Sequence, residues 1–109
     1  MAYGNTVLTH LNASGEALPS TNSEPAFILF LVDLLGLRPG QRVLEVGSGG
    51  GWLVALMSRL VGASGAVTGI EIIKPLARSS RANLLRAGVT NAQIVEGSGA
   101  NGYGPAAPY

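Results

Sequence analysis

The sequence contains no cysteine. That removes disulfides, thiolate metal sites and a cysteine nucleophile together, and it fits a reducing compartment. Charge is scarce as well: seven Lys/Arg stand against six Asp/Glu in 109 residues, a net charge of +1. With no basic block, nothing in the composition points to a nucleic acid or a membrane surface as partner. Histidine occurs once, at His10, in a polar stretch without a second ligand nearby, and we assign it no metal or catalytic role. Long apolar runs are missing too. The longest, Ala26 to Leu37, has twelve residues and includes Asp33, whereas a membrane span takes about twenty. The polar start, Met1 to Thr6, has none of the features of a signal peptide. These absences lead us to expect a soluble, cytoplasmic chain of a length for one small domain.

What is present buries well: apolar residues make up 47% of the chain, and there are sixteen glycines. Residues 1–23 are rich in Thr, Asn, Ser and Gly, which predicts an irregular lead-in; residues 24–109 are expected to form a single partial domain. Ser23 suits a helix N-cap, with Pro25 in the first turn. The helix should run to Leu35, with Phe27, Leu31, Leu34 and Leu35 on one face and Gly36 ending it. Arg42 to Val46 is a short apolar run between glycines, the pattern of a buried parallel strand. A glycine loop, Gly47 to Gly51, leads into a helix from about Gly50 to Val61, whose buried stripe is expected at Leu53, Leu56, Met57 and Leu60. A second strand spans Ala66 to Ile70 and ends at Glu71. Pro75 opens a third helix with Leu76, Ala77, Ser80, Leu84 and Ala87 inward, while Arg78, Arg81 and Arg86 read as a solvated face. Gly88 caps it, and Ala92 to Val95 is a third strand. Glu96 to Tyr109 reads as a loop.

Strands alternating with helices imply βαβ units and a parallel sheet. Right-handed crossovers put the first of these strands beside the second, and the third outside the second.

Function is concentrated in Val43-Leu44-Glu45-Val46-Gly47-Ser48-Gly49-Gly50-Gly51-Trp52. A strand runs into a glycine loop and then into a helix N-terminus with free amides. Glu71 ends the next strand, twenty residues after Gly51, where a carboxylate can accept both hydroxyl protons of a ribose. A dinucleotide site of the form G-x-G-x-x-G would require glycine at position 52, and Trp52 stands there instead. The spacing present is Glu45, Gly47, Gly49, Gly51, the form used by S-adenosylmethionine methyltransferases. A ligand-free glycine turn is the weaker alternative, because glycine here weakens the helix start with no packing benefit visible in sequence. Trp52 and Tyr103 could flank a cofactor or simply pack. Glu45 could contact the donor's amino group or hydrogen-bond the loop amides.

On these residues the chain resembles the protein-L-isoaspartate O-methyltransferase family, from Ala2-Tyr3 to Ala107-Pro108-Tyr109. Thr21-Asn22-Ser23-Glu24-Pro25 is similar to the family's T-I-S-x-P segment. Leu37 to Gly47 follows L-x-P-G-x-x-V-L-E-I-G. Ile70-Glu71 matches the adenosine-ribose position, Glu96-Gly97-Ser98-Gly99 lies where the family has G-D-G, and Ala107-Pro108-Tyr109 matches A-P-Y. Three departures stand out: Ser98 replaces an aspartate that helps hold the adenine amino group, Asn22 and Glu24 differ from the usual neighbours of the family serine, and the sequence stops where the family continues.

The resemblance implies an α/β Rossmann-like methyltransferase sandwich, truncated after about three parallel strands, and a fragment whose first central strand has an unpaired edge open to self-association. It implies S-adenosyl-L-methionine as cofactor, an isoaspartyl-containing protein or peptide as substrate, and neither nucleic acid nor membrane as partner. The implied cofactor-binding set is Thr21, Asn22, Ser23, Glu45, Gly47, Ser48, Gly49, Gly51, Glu71, Ile72, Gly97 and Ser98, with Ser23 also catalytic and no metal. The implied activity is methyl transfer to the free carboxylate of L-isoaspartyl or D-aspartyl residues in damaged proteins. The alternatives are a methyltransferase of the same fold acting on a peptide natural product, a small molecule or RNA; a cofactor-binding remnant without turnover; and a nicotinamide-binding domain, which Trp52 opposes.

Overall fold

A computed structural model describes residues 8–11, 17–22 and 25–109. The chain divides into two compact units, one ending at Leu37 and the other beginning at Arg38, where the sequence suggested one domain.

The first unit holds strands β1 (Leu8–Leu11) and β2 (Ala17–Asn22) and helix α1 (Pro25–Leu35). The strands pair antiparallel, which corrects the expected irregular lead-in. The signal was hidden by Pro19, since proline cannot donate to a ladder. The pairing accommodates it with an irregularity: the step from Thr9 to Leu11 on β1 faces the longer step from Thr21 back to Ala17, which contains Pro19. α1 has the predicted bounds, and Gly36 ends it at φ 65°. Its predicted face is not buried: Phe27, Leu31, Leu34 and Leu35 are all exposed, while Val32 is buried. The helix is apolar nearly all round, so its sequence selects no single inner face.

The second unit contains β3 (Arg42–Val46), α2 (Trp52–Val61), β4 (Ala66–Glu71), α3 (Lys74–Arg86) and β5 (Ala92–Glu96). The strands are parallel in the order β3-β4-β5, as the crossover rule predicted. β4 is central and buried at five of its six positions, whereas β3 lies at the edge, with Val43 buried and Val46 60% exposed. The sequence predicts β3 as a buried parallel strand with an unpaired edge; it is parallel and at the edge, and its burial is only partial. Among the described residues, no strand pairs with its outer edge.

α2 buries Val54, Met57, Ser58 and Val61; of the stripe read from sequence Met57 is buried, Leu53 and Leu56 are half-buried and Leu60 is exposed. Both sets have helical spacing. The slimmer set wins because β-branched and small side chains let the helix lie close to the sheet. α3 buries Leu76, Ala77, Ser80 and Leu84 as predicted; Ala87 is its exposed C-cap residue, and Gly88 follows at φ 72°. After β5 the chain makes two short 3₁₀ turns, Gly99–Asn101 and Gly104–Ala106. Gly99 packs on Val46, and the Arg42 guanidinium donates to the Ala107 carbonyl at 3.2 Å, so this segment returns to both ends of β3. Among the described residues no helix is long and apolar enough to cross a membrane.

The registers align Glu45, Gly69 and Ile94 in one row across the sheet. Ser48 descends onto that row. A Cβ at Gly69 would lie 2.7 Å from Ser48 Cβ and 2.9 Å from Ile94 Cδ1. Gly69→Ala is therefore expected to lower stability by about 1–3 kcal/mol through overpacking. An unchanged denaturation midpoint would refute the tight seat of Ser48.

Candidate functional site

The glycine loop leaves the carboxyl end of β3, the position at which open α/β sheets bind ligands. Gly47 and Ser48 both donate to the Ile70 carbonyl of β4, at 2.8 and 3.0 Å, so the loop folds over the neighbouring strand. Gly47, Gly49 and Gly51 have φ of 76°, 58° and 87°, a backbone region that side chains disfavour. Their surroundings differ. No atom lies within 4 Å of the position a Cβ would take on Gly47, so its backbone is open to a ligand. At Gly51 a Cβ would sit 3.0 Å from Ser80 Cβ of α3. The third glycine thus has the packing benefit that was invisible in sequence: it lets α2 begin close against α3. The first turn of α2 presents amides with no acceptor inside the helix.

Glu71 is 5% exposed and organises the loop. Its Oε1 accepts from the Gly49 amide at 2.7 Å and its Oε2 from the Ile73 amide at 2.9 Å. One carboxylate therefore ties the glycine loop to the start of α3. Each oxygen keeps a second lone pair, so accepting hydroxyl protons from a ribose remains feasible.

Glu45 differs from the loop-anchoring role weighed for it. Its Oε1 is buried and has no hydrogen-bond partner, because the Gly49 amide is taken by Glu71. Burial, and then the Glu71 carboxylate, push its pKa from 4.5 up to about 8. An isolated buried acceptor of this kind is costly unless a donor arrives.

The other predicted residues are placed in different ways. Ser48 is 5% exposed, its Oγ has no hydrogen-bond partner, and its side chain packs over Gly69. Only its backbone is left for a ligand. Ile72 is 68% exposed just beyond Glu71, and Gly97 (φ 154°) has open space where a Cβ would be. Ser98 caps the first 3₁₀ turn, its Oγ accepting from the Ala100 amide at 3.2 Å. Thr21 and Asn22 close β2 in the first unit, and Ser23 lies outside the described residues. Trp52 and Tyr103 are half-buried.

Two side chains that sequence reading left on a solvated face or did not mention prove to be engaged. Arg81 Nε and Nη2 donate to the Ile94 carbonyl at 3.0 and 2.8 Å, and Nη1 meets Glu96 Oε1 at 2.9 Å. Asn83 Nδ2 donates to the Gly50 carbonyl at 3.3 Å. Neither partner is near in sequence, so helical periodicity could not reveal them.

A groove of about 340 Å³ opens at the other end of the sheet, lined by Arg59, Gly62, Val89 and Thr90 among others. It lies by the C-terminal ends of α2 and α3, and Asn91 already fills the Ser58 and Gly62 carbonyls at 2.8 Å each. The glycine loop, with open space at Gly47 and the unpartnered Glu45 Oε1 beside it, is the better candidate.

The family model for protein-L-isoaspartate(D-aspartate) O-methyltransferase matches residues 2–109. A protein-L-isoaspartate O-methyltransferase of Ignicoccus hospitalis is 41% identical over 106 residues, covering 94% of this chain and 50% of that protein. A solved protein-L-isoaspartate O-methyltransferase superposes with a TM-score of 0.88 at 34% identity, over 98% of this chain and 33% of its own. A methyltransferase from Geobacter sulfurreducens, solved with S-adenosyl-L-homocysteine, is 26% identical with a TM-score of 0.57, over 69% of this chain and 30% of its own. The chain spans about half the length of the curated relatives it matches. With that family's pattern running through both units, the chain belongs to the protein-L-isoaspartate(D-aspartate) O-methyltransferase family.

Proposed function

We propose that this chain forms the S-adenosyl-L-methionine-binding part of an enzyme that methylates the free carboxylate of L-isoaspartyl or D-aspartyl residues in damaged proteins. The observation that carries the reading is the Glu71 clamp on the glycine loop, flanked by open backbone at Gly47 and by exposed Ile72. Glu71 takes the ribose hydroxyls on its remaining lone pairs, Ile72 gives the adenine an apolar contact, and Gly97 and Ser98 border it. Gly47, Gly49 and Gly51 shape the loop around the methionyl end, with the Ser48 backbone alongside. The unpartnered Glu45 Oε1 accepts from the ligand's amino group. By family resemblance Thr21, Asn22 and Ser23 are assigned to cofactor binding, Ser23 also as the catalytic residue.

When bound, the cofactor supplies an electrophilic methyl on a sulfonium. The acceptor carboxylate, with a pKa of about 4, is already ionised at neutral pH and needs no general base. The protein's part is to align the reactants and exclude water. This suits a site whose organising groups are backbone amides and two carboxyl groups, Glu45 and Glu71. A cytoplasmic location is proposed with this activity, on the cysteine-free composition.

The span of only half the relatives favours a second reading, in which the chain binds cofactor but turns over only with the rest of a longer protein. Titration with S-adenosyl-L-methionine by calorimetry, with NAD as control, should give saturable binding to the first alone. Methylation of an isoaspartyl peptide by the same sample then separates the two readings. A folded sample that binds neither ligand would sink both. Sedimentation velocity on that sample tests self-association through the outer edge of β3, which a monomer at all concentrations would exclude.

A further inference from the structure

We propose that α3 is the brace of the cofactor pocket, with Asn83 positioning the methionyl side through the glycine loop and Arg81 positioning the adenine side through the end of β5. The assignment rests on the cofactor reading above and divides the pocket between two residues that touch no ligand.

Three contacts run from one stretch of α3 to the two loops. Ser80, fully buried, lies against Gly51, where a Cβ would sit only 3.0 Å from Ser80 Cβ. Three residues on, and so on the same helix face, Asn83 Nδ2 donates to the Gly50 carbonyl at 3.3 Å. The orientation of that amide is set from the other side, because Asn83 Oδ1 accepts from Arg86 Nη2. The glycine loop, which has few side chains of its own, is thus held by α3 through Asn83 and by β4 through Glu71.

Arg81 points to the other loop. Two of its nitrogens converge on the Ile94 carbonyl, and the third meets the carboxylate of Glu96, the last residue of β5. Gly97 follows at once, and its amide donates to the Glu71 carbonyl at 3.0 Å. The guanidinium therefore fixes the residues from which the Gly97–Ser98 border of the adenine site departs. A flat fork with several donors can hold a carbonyl and a carboxylate together, which a lysine cannot. Arg78, 74% exposed and 3.9 Å from Glu96, adds charge but no comparable hold.

A helix that merely stabilised the fold would affect every ligand alike, whereas a divided brace predicts a split. S-adenosyl-L-methionine probes both sides of the pocket, and 5′-methylthioadenosine, which lacks the amino-acid portion, probes only the adenosine side. Asn83→Ala should weaken the first about fivefold, the scale of one net hydrogen bond, and leave the second within about twofold. Arg81→Gln should weaken both by a similar factor of about ten, the scale of a hydrogen bond to a charged group. If Arg81→Gln fails to fold, Arg81→Lys carries the same test, since it keeps an ion pair with Glu96 without the paired donation to Ile94. Equal weakening of both ligands by Asn83→Ala, discrimination between them by the Arg81 variant, or unchanged affinities in both variants would each overturn the assignment. A folded parent chain that binds neither ligand overturns the cofactor reading itself, and this assignment with it.

Discussion

Glu71→Ala is expected to lower affinity for S-adenosyl-L-methionine by a hundredfold or more and to destabilise the second unit. The carboxylate is buried and accepts two backbone amides, Gly49 at 2.7 Å and Ile73 at 2.9 Å. Charge-assisted hydrogen bonds contribute about 1.5–3 kcal/mol each, and removing the acceptor leaves both donors without a partner. The loss should therefore reach roughly 3–6 kcal/mol in folding. The loss in binding is separate: the loop that borders the ligand loses its anchor, and the ribose loses its acceptor. Glutamine is no mild replacement, because its amide nitrogen would present hydrogens to one of the two backbone N–H groups. Calorimetric titration at a temperature where the variant is folded reads the binding loss, and thermal unfolding reads the other. A variant that still binds within threefold of the parent would show that the clamp on Gly49 is unrelated to the cofactor.

Glu45→Gln should act in the opposite direction on stability. Burial and the neighbouring Glu71 raise the Glu45 pKa from 4.5 to about 8 in the folded chain. Between those values the unfolded chain has lost the proton while the folded chain retains it. The unfolded state then binds fewer protons, so stability falls as pH rises from about 4.5 and levels off above about 8. Each pH unit in that window is worth about 1.4 kcal/mol. Replacing Glu45 with an uncharged side chain of the same shape removes this cost, a gain of roughly 3 kcal/mol at pH 7. The check is the melting temperature from pH 5 to 8 without ligand: the parent curve should slope downward and the Glu45→Gln curve should be nearly flat. Parallel curves would mean that the carboxyl is solvated in the folded chain. The same substitution should weaken S-adenosyl-L-methionine, whose amino group is assigned to this oxygen. A group that costs stability in the empty site while holding ligand is the pattern expected of a functional residue.

Much of the second unit, and the helix of the first, could be read along the chain. β3 and α1 have the predicted bounds, Gly36 and Gly88 end their helices at positive φ, and the strand order is β3-β4-β5. These features depend on short-range causes: the alternation of apolar runs, the freedom of glycine, and the handedness of a βαβ crossover. The motif from Glu45 to Gly51 with Glu71 beyond it was legible for the same reason, since a strand, a turn and a helix start are consecutive in sequence. The β1–β2 pairing was not, because proline and polar residues weaken the alternation, and a pairing partner is chosen between segments rather than within one.

The sequence by itself determined which elements of the second unit form, where they turn and that a glycine loop has two acids near it. The tertiary structure decided which acid does what. Glu45 is the penultimate residue of β3 and Glu71 the last of β4, yet only Glu71 reaches the Gly49 amide. It also decided that Gly51 makes room for Ser80, that Arg81 and Asn83 hold loops rather than face water, and that α2 buries Val54 and Val61 in place of leucines. The physical reason is common to all of these. Periodicity and caps are properties of neighbours along the chain, whereas hydrogen-bond partners and close contacts depend on distances between elements that only the packed sheet and helices set.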